Sequence, residues 1–212
     1  MMTASIRLRV LAGLAAALLA SCGGFVRDAP VPAIYRLFPP DLPAGQAAPA
    51  ELRIERPSVA AGLGGDRVAS LWPDGRIDYY RDARWGDDLP QVVEAALVET
   101  LARSARLRAV QGGRAPFLAT HVLQIDIRRF EADYAEGVPP VIHVSLGATL
   151  GTARDRRVLA AFDVAAEARA GSNTQTDVMR AFNEAFARAT VELSARLLAA
   201  MGSAPPAVPA PE

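Results

Sequence analysis

The stretch Ala119-Thr-His-Val-Leu-Gln-Ile-Asp-Ile-Arg-Arg-Phe130 decides the fold class. Side chains of an extended chain alternate between two faces, so Leu123, Ile125 and Ile127 fall on one side and Gln124, Asp126 and Arg128 on the other. Two further stretches repeat the pattern. Val141–Leu150 puts Ile142, Val144, Leu146, Ala148 and Leu150 on one face, and Val158–Glu167 does the same with Val158, Ala160, Phe162, Val164 and Ala166. Three successive strands with one apolar face predict an antiparallel sheet covered on one side.

The cover is found on either side of these strands. Downstream, Thr174 and Asp177 have capping-box spacing, and Val178, Phe182, Ala185, Phe186, Ala189, Leu193 and Leu197 then recur at helical intervals to about Met201. Upstream, Asp87-Asp88-Leu89-Pro90 opens a second helix with acidic residues and a first-turn proline. Leu89, Val92, Val93, Ala96, Leu97, Thr100 and Leu101 form its apolar side. Ahead of that helix, Arg67–Trp72 and Arg76–Tyr80 flank Pro73-Asp74-Gly75, a tight-turn signal that predicts a hairpin. Short strands are expected at Ala33–Phe38, Glu51–Arg56 and Leu107–Val110, with a Pro/Gly/Ala loop over Pro39–Ala50. The whole reads as one α+β domain: an antiparallel or mixed sheet with two amphipathic helices packed on one face.

The chain has 212 residues, of which 51% are hydrophobic and 22% charged, a balance that excludes disorder over most of its length. All 23 basic residues are arginine, matched by 23 acids, so there is no basic face to hold nucleic acid. One cysteine excludes an internal disulfide and any CxxC site.

That cysteine closes an address signal. Arg7 and Arg9 precede the apolar run Val10–Ala20. As a helix the run would rise only about 16 Å, too short for a bilayer. It is the hydrophobic region of a signal peptide, and its end, Leu19-Ala20-Ser21-Cys22, resembles a bacterial lipobox. The expectation is cleavage between Ser21 and Cys22, an S-diacylglycerol and an N-acyl chain on Cys22, and no other cofactor. Several acyl chains, each contributing about 0.8 kcal/mol per buried CH₂, give a lasting anchor. Gly23, where an inner-membrane retention signal would have Asp, favours the periplasmic face of the outer membrane. The chain then divides into a signal peptide (1–21), a lipid-anchored tether (22–32), a folded domain (33–201) and a Pro/Ala-rich tail (202–212).

Signs of chemistry are few. There is no nucleophile elbow, zinc-protease motif or Walker A sequence. Gly62-Leu63-Gly64-Gly65 opens like a dinucleotide loop, but Arg67 stands where the third glycine belongs. Asp74, Asp78, Asp82, Asp87 and Asp88 lack calcium-loop spacing and suit turns and a helix start. His143 falls on the polar face of its strand and His121 on the apolar one, each without a second ligand nearby in sequence. No catalytic residue and no metal site is assigned, and the expectation is a protein that is not an enzyme. The segment with the most binding character is Arg76–Pro90, where Tyr79, Tyr80 and Trp85 interleave with Arg81 and Arg84. Tyr, Trp and Arg are enriched at interface hot spots. The same aromatics could instead pin the hairpin to the first helix, and alternation puts one tyrosine in and the other out.

These features together resemble the ABC-type transport auxiliary lipoproteins, the PqiC-like family. The resemblance rests on the lipobox, Tyr35-Arg36-Leu37, Ile54-Glu55-Arg56-Pro57, Asp66-Arg67-Val68, the Ile77–Tyr80 strand, the A-R-W-x-D-x-L-P run over Ala83–Pro90, Phe130, and Ala181-Phe182 in the last helix. It implies a non-enzymatic subunit of an MCE-type ABC system that moves lipid or another hydrophobic solute between membranes. Its implied partners are the MCE-domain protein and, through it, the permease and ATPase, with homo-oligomerisation compatible. On that reading the outward members of Tyr79, Tyr80, Arg84 and Trp85 help form the docking surface. Two other classes remain: a lipid carrier, which needs a large apolar cavity between helix and sheet, and an outer-membrane assembly lipoprotein.

Overall fold

The computed structural model describes residues 31–202; the expected signal peptide, the lipidation site expected at Cys22, most of the expected tether and nearly all of the expected tail lie outside them. Within this span the chain forms β1 (Ala33–Tyr35), β2 (Ala48–Ile54), β3 (Ser58–Val59), β4 (Arg67–Leu71), β5 (Ile77–Trp85), α1 (Leu89–Arg103), β6 (Leu107–Gly112), β7 (His121–Asp133), β8 (Val141–Thr152), β9 (Val158–Arg169) and α2 (Gln175–Gly202). None of the helices is long and apolar enough to cross a membrane.

β7 is the hub. One of its edges pairs antiparallel with β8 over almost its whole length, from His121↔Thr152 to Asp133↔Val141. The other edge is shared end to end by three short segments, all parallel to it. β2 takes Leu52↔His121 to Ile54↔Leu123, β3 takes Ser58↔Asp126 and Val59↔Ile127, and β4 takes Ala69↔Glu131 to Leu71↔Asp133. Pro57, which has no N–H to give a ladder, separates β2 from β3. β6 extends the sheet beyond β2 in parallel, β5 pairs antiparallel with β4, and β1 lies parallel to β5. β9 closes the other side against β8. The result is a mixed nine-stranded sheet.

The expected alternation decides which face is covered. Leu123, Ile125 and Ile127 of β7, and Ile142, Val144, Leu146, Ala148 and Leu150 of β8, are all buried. They meet Phe182, Ala185, Phe186, Ala189, Leu193 and Leu197 of α2 and Leu89, Val93, Leu97 and Leu101 of α1 in one continuous core. Each fully buried large side chain contributes about 1.5–3 kcal/mol. A register shift between Ile127 and Arg129 lets β7 turn Phe130 and Ala132 inward after Ile127, so the same face stays apolar to the strand end.

Three local expectations need correction. Val158, placed among the buried residues of the last strand, is 60% exposed, because β9 begins at the open margin of the sheet. β2 starts at Ala48 rather than Glu51, and β5 runs on to Trp85 rather than ending at Tyr80. The extension of β5 has a cause outside the hairpin: Ala83, Arg84 and Trp85 pair with Ala33, Ile34 and Tyr35 of β1.

Thr174 does cap α2, since its hydroxyl accepts from the N–H of Asp177 at 3.4 Å. Asp177 does not reach back to complete the box. Its carboxylate accepts from the Ser172 hydroxyl at 2.6 Å and pairs with Arg180, and the Ser172 bond is the first of the contacts that hold its pKa below the usual value.

Candidate docking surface

The β4–β5 hairpin turns through Pro73-Asp74-Gly75. The N–H of Gly75 donates to the Trp72 carbonyl at 2.8 Å, and that of Trp72 to the Arg76 carbonyl at 3.0 Å. Gly75 has φ +81°, the left-handed region where a side chain is strained. Leu71↔Ile77, Ser70↔Asp78 and Ala69↔Tyr79 follow in register, after which the pairing jumps to Arg67↔Arg84. The residues of β5 between Tyr79 and Arg84 therefore bulge away from β4.

This irregularity sets where each expected docking residue goes. Tyr79 is half-buried beneath the Arg67 guanidinium, which lies 3.5 Å from its ring centroid, and its hydroxyl donates to the Gly62 carbonyl at 2.9 Å. Tyr80 is also half-buried. Its hydroxyl meets that of Tyr134 at 2.7 Å, and Tyr134 donates onward to Asn173 Oδ1 at 2.8 Å, so Tyr80 is the donor of the first bond. Burial, then the bond to Tyr134, pushes the Tyr80 phenol well above its usual range. Arg84 is half-buried and pairs with Asp66 at 3.6 Å.

Trp85 is elsewhere. It is 2% exposed and packs edge-on against Phe130 and Phe182, with centroids 5.7 and 5.4 Å away. Its contribution to any surface is indirect: it fixes the end of β5 to β7 and α2. The strand extension that pairs Trp85 with Tyr35 carries it inward, which the local sequence did not reveal.

The structure adds residues that the sequence reading passed over. Trp72 and Ile77 are exposed at the hairpin turn, with the Arg76 guanidinium 5.8 Å from the Trp72 ring. Trp72 stacks on Tyr134 at 4.7 Å with planes 7° apart. The available signal was the placement of Trp72 and Arg76 on the two sides of Pro-Asp-Gly, which makes them neighbours across the turn. The exposed part of the hairpin is thus an aromatic–aliphatic–arginine surface on a rigid support.

The remaining candidates have structural duties. Asp74 accepts from Arg76 N at 3.1 Å, Asp87 from Asp88 N at 2.7 Å, and Asp88 pairs with Arg56 at 3.3 Å. His143 stands on the uncovered face, 3.0 Å from Glu167 and 3.7 Å from Asp133. His121 is half-buried with Nδ1 2.9 Å from the Thr120 hydroxyl, and burial lowers its pKa. Among the described residues no three His, Cys, Asp or Glu side chains gather as a metal site. Two grooves open on the uncovered face, one around Gln124, Asp126, Arg128 and Asp163, the other around Arg53, Glu55 and Arg156. The first is mostly polar, and the second mixes its charged residues with Val122, Ala153 and Val158.

The profile of the ABC-type transport auxiliary lipoprotein component matches residues 35–194, from the end of β1 into the last turns of α2. The chain belongs to that family. Its members are auxiliary components of ABC-type transport, and the hairpin and A-R-W-x-D-x-L-P run lie within the matched span. Among solved structures, a protein from Xanthomonas campestris is similar with 27% identity and a TM-score of 0.70, the match covering 79% of this chain and 96% of that one. An uncharacterised protein shares the fold at 14% identity and a TM-score of 0.61, covering 79% of this chain and 99% of its own. So does a hypothetical protein from Chlamydia trachomatis, at 12% identity and a TM-score of 0.51, over 74% and 100% of the two chains. No curated protein matches the chain.

Proposed function

We propose that this protein is a membrane-anchored periplasmic lipoprotein and a non-catalytic subunit of an MCE-type ABC system. In this reading it docks the periplasmic component of that system at the outer membrane, in support of lipid or hydrophobic-solute transport between membranes. The observation that carries the proposal is the family match over residues 35–194. Cys22 after Leu19-Ala20-Ser21 supplies the anchor, and Gly23 directs it outward. The docking surface is the hairpin: Tyr79, Tyr80 and Arg84, with Trp72, Arg76 and Ile77 as its exposed part and Trp85 as its internal support. A pre-ordered surface of this kind spends little conformational entropy on binding.

The test is affinity purification of the full-length lipidated protein from gently solubilised native membranes, with partners identified by mass spectrometry. The expected result is an MCE-domain protein together with its permease and ATPase. Recovery of a barrel protein alone, or of bound lipid without a protein partner, overturns the proposal. Trp72→Ala with Arg76→Ala and Ile77→Ala, all exposed, is expected to abolish partner recovery while circular dichroism stays unchanged.

A further inference from the structure

β1 and the three residues after it carry a stripe of outward side chains. Over residues 34–38 the chain is extended and alternates strictly. Tyr35 and Leu37 turn towards the core, whereas Ile34, Arg36 and Phe38 are exposed, Ile34 by 67% and Phe38 by 57%. The three outward side chains span about 13 Å along the backbone. The segment is held firmly: Ile34 pairs with Arg84 of β5, and the N–H of Phe38 donates to Asn183 Oδ1 of α2 at 2.8 Å. Arg36 lies 5.3 Å from the Phe38 ring and has no carboxylate partner among the described residues. Arg36 thus stands without a carboxylate between two exposed apolar side chains, an arrangement that suits an anion at the edge of an apolar phase.

The position of the stripe says which one. Cys22 precedes Ile34 by twelve residues, which even fully extended reach no further than about 40 Å. If Cys22 carries lipid, as the proposed function holds and on which this inference rests, the stripe stays beside the bilayer. We infer that Ile34, Arg36 and Phe38 bed the domain on a membrane surface containing anionic phospholipid. Ile34 and Phe38 enter the boundary between headgroups and acyl chains, and the Arg36 guanidinium pairs with a headgroup phosphate. The contact supplements the anchor by fixing orientation: with the stripe against lipid, the domain is held in one pose. Leu118, 89% exposed just before β7, provides the contrast. It lies by the His121 end of β7, whereas Ile34 pairs with Arg84 and Arg84 with Arg67, which the β4–β7 register sets level with Arg129, about 26 Å along the strand.

The experiment uses full-length lipidated chain in vesicles of phosphatidylethanolamine and phosphatidylglycerol. Acylated Cys22 leaves no free thiol, so Ile34→Cys, Phe38→Cys and Leu118→Cys each accept one environment-sensitive fluorophore. The expected result is blue-shifted emission and quenching by headgroup-region spin-labelled lipid at positions 34 and 38, several-fold stronger than at 118. Arg36→Glu is expected to reduce quenching at 38. Water-like emission at both 34 and 38, or quenching at 118 equal to theirs, overturns the inference. A blue shift without lipid quenching, the mark of protein–protein burial, overturns it as well. Mass spectrometry of the Cys22 peptide keeps the two readings apart. An acylated Cys22 with a water-like stripe sinks only this inference, and an unacylated Cys22 sinks the lipoprotein reading and this inference with it.

Discussion

The part-buried hydrogen-bond chain Tyr80–Tyr134–Asn173 ties the hairpin to the β7–β8 turn and to the start of α2, and it responds to pH. The Tyr80 phenol ionises in the unfolded chain near its ordinary value of 10 but far higher in the folded one. Its contribution is therefore fully present below pH 10, and stability falls as pH rises above that point, because the unfolded state loses the proton first. Denaturant titrations between pH 8 and 11 are expected to show this alkaline loss, with Tyr80→Phe flattening it. Trp85→Ala should cost about 3–5 kcal/mol, read from the shift of the urea midpoint, because it empties the space filled edge-on against the stacked Phe130 and Phe182. At this scale the sequence was an uneven guide. Its alternation correctly turned Leu123 and Ile142 inward. It could not place Trp85, whose burial depends on β1 arriving beside β5 from about fifty residues upstream. Nor could it join Trp72 to Tyr134, which meet only through the β4–β7 pairing.

Among the elements, β9 faces the greatest risk, since its outer edge offers unpaired backbone groups over a strand of 12 residues. α2 guards that edge. Arg188 donates to the Glu167 carbonyl at 2.8 Å and Arg196 to the Asp163 carbonyl at 3.2 Å, and each guanidinium is steadied by a glutamate one turn earlier, Glu184 and Glu192. The spacing matches: eight residues of helix rise about 12 Å and four residues of strand about 13 Å. Arg188→Ala with Arg196→Ala is expected to lower stability by about 1 kcal/mol and to raise light scattering on heating, as exposed edges pair between molecules. The long strands and both helices were legible because each repeats its period many times. β3 was not, since two residues show no period and the strand exists only because β7 offers it a free edge.

For the molecule as a whole, dependence on β7 predicts how stability is distributed. β7 is bonded along both edges and packs against α2 through Phe130, whereas β1 and β6 hang on a single neighbour each. Native-state hydrogen exchange is expected to show amides of β7 and β8 opening only with global unfolding, and those of β1 and β6 opening earlier. Equal protection throughout would contradict this.

The same hub has a consequence in time. Glu51 and Thr120, which are bonded to each other, stand 69 positions apart, and β3 and β4 are separated from their places on β7 by similar intervals. A chain that emerges N-terminus first must carry β2, β3 and β4 for that whole interval without the template they align on. Early closure of the sheet is topologically impossible. In the proposed periplasmic role the chain would cross a membrane before folding, and the delay would keep its leading half pliable until the trailing half has been delivered.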